Sequence, residues 1–233
     1  MVQMISGSPV YTVRIKFRKT GSLQYISHLD LVRTMSKIVT RTKLPLWYTE
    51  GFNPKPKMVF AAPLSIGTES LTEFMDLRIT ERIPEDEVKA RFNANLTDEM
   101  QVVEAYYPEN LLTELKWLTY TVFIKTDGAT PELAQKCASA LSADKVEVIK
   151  KSKKGEILTD IRPLIKETDV VYDSGILKIS AMLSSSPEEY LNPEYLIKVL
   201  KEKCGILRSP DLLSEYYTVL RERAYKVDMT EFR

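Results

Sequence analysis

The segment from Tyr11 to Lys19, YTVRIKFRK, alternates apolar and basic residues with the period of two of a half-buried strand. Val13, Ile15 and Phe17 form its apolar set, which leaves Arg14, Lys16 and Arg18 as a basic row on the opposite face. The period then lengthens. In ISHLDLVRTMSKIVTRTKLP, Leu29, Val32, Met35 or Ser36 and Val39 recur at helical spacing, Ser27 and Asp30 make a capping-box-like start, and Lys43-Leu44-Pro45 ends the run. Arg33, Lys37 and Arg41 fall four apart on the other face. MVFAAPL and EFMDLRIT read as strands, PEDEVKARFNANL as a helix and MQVVEAYYP as a strand, so the order is β-α-β-β-α-β.

The same order repeats further along. WLTYTVFIKT alternates as a strand, TPELAQKCASALSA is a helix begun by Thr130 and Pro131, and KVEVIKKS is a strand. KKGEILTDIRPLI and VVYDSGILKISAML are two further extended segments paired through the acidic turn between them. NPEYLIKVLKEKCG is a helix with Asn192 as N-cap, Pro193 first inside and Gly205 as its stop, and LLSEYYTVLRERAYKV closes the sheet as a strand or adds a helix. The predicted fold is α+β, two ferredoxin-like (β-α-β-β-α-β) halves in tandem over residues 1–112 and 113–233, with one continuous sheet as the competitor.

Composition narrows the class. With 44% hydrophobic and 28% charged residues over 233 positions, the chain is an ordinary globular protein. It has no apolar run of the roughly 18 residues that a membrane helix needs, and no signal-like start. A cytoplasmic protein with no membrane partner is expected. Cys137 and Cys204 are expected to be reduced core residues, and with His28 the only histidine, no metal site is expected. Without a Gly-rich phosphate loop or a GxSxG or HExxH motif, no cofactor is expected either.

Charge is uneven although the net is only +1. Residues 1–60 hold ten basic side chains against Asp30 and Glu50, and residues 61–115 hold four basic against twelve acidic. Such a split either presents a positive face to a polyanion or satisfies itself inside the fold. The rigid stretch EGFNPKPK adds Lys55 and Lys57 on one side of an extended, proline-stiffened loop, bordered by Trp47, Tyr48 and Phe52. Basic and aromatic side chains together bind single-stranded RNA by stacking and phosphate contact. The candidate RNA-binding set is Arg14, Lys16, Arg18, Arg33, Lys37, Lys55 and Lys57. Candidates for catalysis are His28 at a helix start as acid or base, Lys57 for a developing phosphate charge, and Asp30 and Asn53 beside them. Glu69, Glu73 and Asp76 are candidates to neutralise the basic helix, and Asn53 is expected to pin the turn after Gly51 with a buried hydrogen bond.

The stretch SLQYISHLDLVRTMSKIVTRTKLPLWYTEGFNPKPKMVFAAPLSIGTESLTEFMDLRI resembles the bacterial radical-SAM-linked protein family, a domain found next to or fused behind a radical SAM protein. The matching residues are Ser27, His28, Leu29 and Asp30 (SHLD), then Gly51, Phe52, Asn53, Pro54, Pro56 and Lys57 (GFNPxPK), then Pro63, Leu64, Gly67, Ser70, Glu73 and Asp76. The position between the prolines, often His in that family, is Lys55 here, and ILTDIRPLI resembles a feature of the family's second half. The resemblance implies one motif cluster: Ser27, His28, Asp30, Asn53, Pro54, Lys57, Glu73 and Asp76. It also implies a radical SAM protein as partner. No CxxxCxxC cluster motif occurs, so any radical chemistry would belong to that partner and this chain would be its RNA-binding accessory or specificity subunit, with tRNA or rRNA as the partner RNA. The alternatives are a metal-independent RNA-processing or RNA-modifying enzyme built on His28, Asp30, Asn53 and Lys57, and a protein-interaction adaptor without a nucleic-acid role.

Overall fold

The computed structural model describes residues 2–5, 8–152, 155–186 and 188–233. It is an α+β protein that divides into two units, Met1–Leu115 with Thr230–Arg233, and Lys116–Met229. The final four residues therefore join the first unit, whereas the sequence pattern places everything after residue 112 in the second. Phe232 is the reason, since it is wholly buried with its ring edge-on to Phe74 at 5.0 Å.

The first unit contains β1 (Val2–Ile5), β2 (Ser8–Lys19), α1 (His28–Arg41), β3 (Met58–Phe60), β4 (Thr68–Ile79), α2 (Glu85–Asn93) and β5 (Met100–Tyr106). β2 is central, pairing antiparallel with β4 on one side and with β1 and β5 on the other, and β3 pairs antiparallel with the outer side of β4. Strand alternation sends Val13, Ile15 and Phe17 to one face together with Met75, Leu77 and Ile79. There α1 contributes Leu31, Met35, Ile38 and Val39, and α2 adds Val88 and Phe92, to make one apolar core. The buried stripe of α1 differs from the expected one. Met35 and Val39 are buried as expected, but Leu29 is 57% exposed and Val32 half-buried, because Leu31 and Ile38 complete the buried face in their place. The helix start is as expected: Ser27 Oγ accepts from the Asp30 amide at 3.1 Å and donates to its carboxylate at 2.7 Å.

The second unit contains β6 (Trp117–Lys125), α3 (Pro131–Ser142), β7 (Glu147–Ser152), β8 (Gly155–Asp160), β9 (Ile165–Asp173), β10 (Ile176–Ser186), β11 (Glu189–Tyr190), α4 (Glu194–Cys204) and β12 (Tyr216–Tyr225). Its antiparallel order is β12-β6-β10-β9, with β11 on the end of β10, and β7 and β8 form a separate hairpin. The segment read as one extended run, VVYDSGILKISAML, is broken into β9 and β10 by a two-residue turn. Ser174 and Gly175 both take positive φ, 49° and 89°, as a tight hairpin requires. The expected segment beginning at Lys153 lies partly outside the described residues, and its described part supplies β8. Thr130 caps α3 as predicted, while α4 begins at Glu194, whose amide is held by Asn192 Oδ1 at 3.0 Å. Cys137 and Cys204 are free thiols in buried positions, and burial, with Cys204 beside it, pushes the Cys137 thiol up to about 12.

Candidate functional site

The polar face of the first unit's sheet is laid out in rows. Lys16 of β2 lies opposite Phe74 of β4 and Glu104 of β5, Arg14 lies between Asp76 and Tyr106, and Thr12 lies opposite Arg78. Val59 of β3 continues the Asp76 row. Lys57, just before β3, accepts the Arg78 amide on its carbonyl at 3.1 Å and so continues the Arg78 row.

Arg14 is not the exposed RNA contact expected of it. Its side chain is 0% exposed and makes a two-pronged bond to Asp76, Nε to Oδ1 at 2.7 Å and Nη2 to Oδ2 at 3.0 Å. Nη2 also donates to the Asn110 carbonyl at 3.0 Å, Nη1 donates to the Asn110 side chain, and the guanidinium sits 4.9 Å from the centre of the Phe232 ring. Lys16 is drawn to Glu231 at 3.2 Å. The last residues of the chain thus cover the part of the basic row that alternation alone would leave in water. Arg18, beyond a bulge in the pairing, stays exposed and reaches the Asp98 carbonyl at 3.2 Å.

The motif residues divide between the two faces of this sheet. His28 lies on the core side, its ring edge-to-face with Phe60 at 5.6 Å. Lys57 is on the other side, beside Val59 and Asp76 in a cleft of about 210 Å³. Asp30 stays at the exposed end of α1, bonded to Ser27 and 3.4 Å from Arg33. The Ser27 hydroxyl, followed by Arg33, holds the Asp30 carboxyl below the ordinary range. Pro54 and Asn53 are exposed, and Asn53 makes no side-chain hydrogen bond among the described residues, so it does not pin the loop. Thr49 does: its hydroxyl accepts the Lys55 amide at 3.1 Å and its amide donates to the Lys55 carbonyl at 2.9 Å. The acid–base group of His28, Asp30, Asn53 and Lys57 is therefore not assembled around one cavity. Glu73 is buried on β4, and Glu69 accepts from the Gly21 amide at 2.6 Å instead of meeting α1. Among the described residues no group of three or more His, Cys, Asp or Glu could hold a metal ion.

Part of the expected set remains open to solvent, Arg18, Arg33, Lys37 and Lys55, and Arg41 joins it. Lys37 and Arg41 on α1, and Lys55 on the loop, are exposed and form no ion pair among the described residues. Phe52 at the loop tip is 111% exposed. Arg78, absent from the expected set, stands beside Lys57 and over the Trp47 ring at 5.7 Å. The signal for it lies in EFMDLRIT, where Phe74, Asp76 and Arg78 share one period-two face.

A family model matches residues 12–193, most of the chain. The chain belongs to DUF2344, "Uncharacterized protein conserved in bacteria". For this DUF2344 member no curated protein matches. Among solved structures it is similar to a chain of the "Crystal Structure of a Cbf5-Nop10-Gar1 Complex", with a TM-score of 0.50 and 12% identity. That likeness covers 91% of this chain and 48% of the other, so the DUF2344 chain spans about half the length of that solved chain, and the likeness speaks for the fold alone. No helix among the described residues is long and apolar enough to cross a membrane.

Proposed function

We propose that this protein is an RNA-binding accessory subunit, acting in the cytoplasm with a radical SAM enzyme on tRNA or rRNA, and that its first unit carries the RNA. The observation that supports this most is the set of uncompensated, exposed groups: Lys37, Arg41 and Lys55, with Phe52 projecting from a loop that Thr49 closes. Bases stack on such an aromatic and phosphates pair with such cations. The radical SAM partner rests on the SHLD and GFNPxPK resemblance. We also read each unit as ferredoxin-like. The order β5-β2-β4-β3 with crossings by α1 and α2, and the order β12-β6-β10-β9 with α3 and α4, support that reading. The separation of His28 from Lys57 weighs against the enzyme alternative. The adaptor alternative draws on Leu212 and Leu213, both more than three-quarters exposed.

Fluorescence anisotropy with a single-stranded RNA, repeated across a salt series, tests the reading. Affinity is expected to fall steeply with salt. The combined Lys37→Ala, Arg41→Ala, Lys55→Ala variant should bind weakly and with a flatter salt slope, by about 0.7 for each phosphate no longer neutralised. Wild-type binding by that variant would reject this surface, and co-purification with the radical SAM protein but not with RNA would favour the adaptor.

A further inference from the structure

Lys57 and Arg78 are an unusual pair of neighbours. They stand side by side on adjacent extended segments, with Thr12 completing their row. Like charges placed so are destabilising unless something of opposite sign lies between them. The adjoining row shows how the protein balances charge elsewhere, since there Asp76 meets Arg14. Both Asp76 oxygens are occupied by that guanidinium, so the one carboxylate in the cleft is already committed. Neither Lys57 nor Arg78 makes an ion pair or a side-chain hydrogen bond among the described residues. The cleft also has apolar lining, from Val59 beside Lys57 and from Pro108, Leu111 and Leu112 of the segment after β5, with Asn110 and Thr113 among them.

We propose that this cleft is a nucleotide subsite, in which Lys57 and Arg78 hold a phosphate and the apolar lining takes the attached base. The proposal rests on the RNA-binding reading and gives it a specific pocket. Inorganic phosphate alone would leave that lining unused, and a nucleoside alone would leave the two cations without a counter-charge. A nucleotide satisfies both. The volume, about 210 Å³, lies below the roughly 300 Å³ at which pockets for drug-sized ligands begin, which suits one base and not a large cofactor. An acidic peptide end would offer one carboxylate where a phosphate offers three oxygens to a lysine and an arginine standing together, so the phosphate is the better match.

Trp47, stacked with Arg78, supplies a reporter in its indole N–H resonance. The full chain would be titrated with uridine 5′-monophosphate, uridine, inorganic phosphate and N-acetyl-leucine. Expected is a saturable shift of the Trp47 signal with the monophosphate, at a dissociation constant at least tenfold below those of uridine and phosphate. Lys57→Gln and Arg78→Gln should each weaken it about tenfold, and Arg78→Lys should restore part of the loss. A monophosphate that binds no better than inorganic phosphate, or N-acetyl-leucine binding in its place, would overturn the nucleotide assignment. The same two variants measured with the RNA probe separate the two ideas. If RNA binding survives in Lys57→Gln and Arg78→Gln but fails in the Lys37, Arg41 and Lys55 variant, the subsite is wrong and the RNA surface stands. If the wild-type chain binds no RNA, the RNA reading falls and the monophosphate titration alone decides the cleft.

Discussion

Arg14 is a charge that the fold has taken out of water, and its energetics follow from that. Its five donors face Asp76, Asn110, the Arg233 carbonyl and the Phe232 ring, so desolvation is offset by partners on several sides. Removing the guanidinium in Arg14→Met leaves Asp76 with an unpaired charge under the same cover. We expect a loss of about 3 kcal/mol in denaturant unfolding, against less than about 1 kcal/mol for Lys16→Ala, whose Glu231 partner is half exposed. Equal losses would mean that the pair's burial carries no energetic weight. Glu215 is the counterpart in the second unit. Its oxygens accept from the Thr126 hydroxyl and from the Ser209 amide, and from the Asp127 amide at 2.9 Å, and these bonds, the Thr126 hydroxyl first, bring its pKa down to about 2 from an ordinary 4.5. A depressed carboxyl contributes stability that is fully present above its unfolded value and lost as pH falls through the folded one. The second unit should therefore weaken between pH 4.5 and about 2, and Glu215→Gln should flatten the pH dependence of its unfolding in that window. A Gln variant with the wild-type acid profile would assign the loss to other groups.

At the level of elements, the face an element turns inward is harder to read than the element itself. The α1 pattern offers two stripes that share Met35 and Val39, one completed by Leu29 and Val32 and one by Leu31 and Ile38. Spacing alone does not choose, because both repeat at three to four residues. The choice is made by Phe17, Met75 and the other sheet residues that α1 covers, and these are distant in sequence. Leu31→Ala should cost about 3 kcal/mol as a large-to-small core change, whereas Leu29→Ala should stay within about 0.5 kcal/mol. The reverse ranking in thermal melts would put the buried stripe where the spacing first suggested. Strands and caps were legible for the opposite reason, since they depend on neighbours a few residues away: the Tyr11–Lys19 alternation, Ser27 before α1 and Thr130-Pro131 before α3 all appear in the fold. The candidate site was less so. That Lys55 and Lys57 flank a stiff loop could be read locally, but His28 and Lys57 part company because β3 places Phe60 and Val59 on opposite faces. Asn53 has no partner among the described residues for a similar reason, the closure having fallen to Thr49. The hairpin at Ser174-Gly175 was a missed local signal, a short turn pair between alternating runs.

For the molecule as a whole, the consequential fact is that the chain's last residues belong with its first half. Of the two readings of the uneven charge, internal satisfaction is seen where Asp76 takes Arg14, while Glu69 and Glu99 accept from the backbone at Gly21 and Ser22. Further cover on this face of the sheet comes from the far end of the sequence, through Glu231 on Lys16 of β2, Phe232 on Phe74 of β4 and Arg233 over Tyr106 of β5 at 5.5 Å. Phe232 is fully buried, so this cover is part of the first unit's packing and not a loose strap. Deleting its ring leaves a cavity against Phe74 and uncovers the Arg14 guanidinium, and a buried Phe→Ala change costs about 3 to 5 kcal/mol. The protein has two tryptophans, Trp47 in the first unit and Trp117 in the second, so Trp117→Phe and Trp47→Phe backgrounds report the two units separately. In Phe232→Ala the urea midpoint read by Trp47 should drop by an amount equivalent to those few kcal/mol, and the midpoint read by Trp117 should drop less. A Phe232→Leu variant, which keeps most of the apolar volume but loses the ring packing on Phe74 and Arg14, should fall between wild type and Ala. If Phe232→Ala moves neither midpoint, the tail is peripheral and the covered basic row is open to ligands after all. If it moves only the one read by Trp117, the assignment of the last four residues to the first unit is wrong.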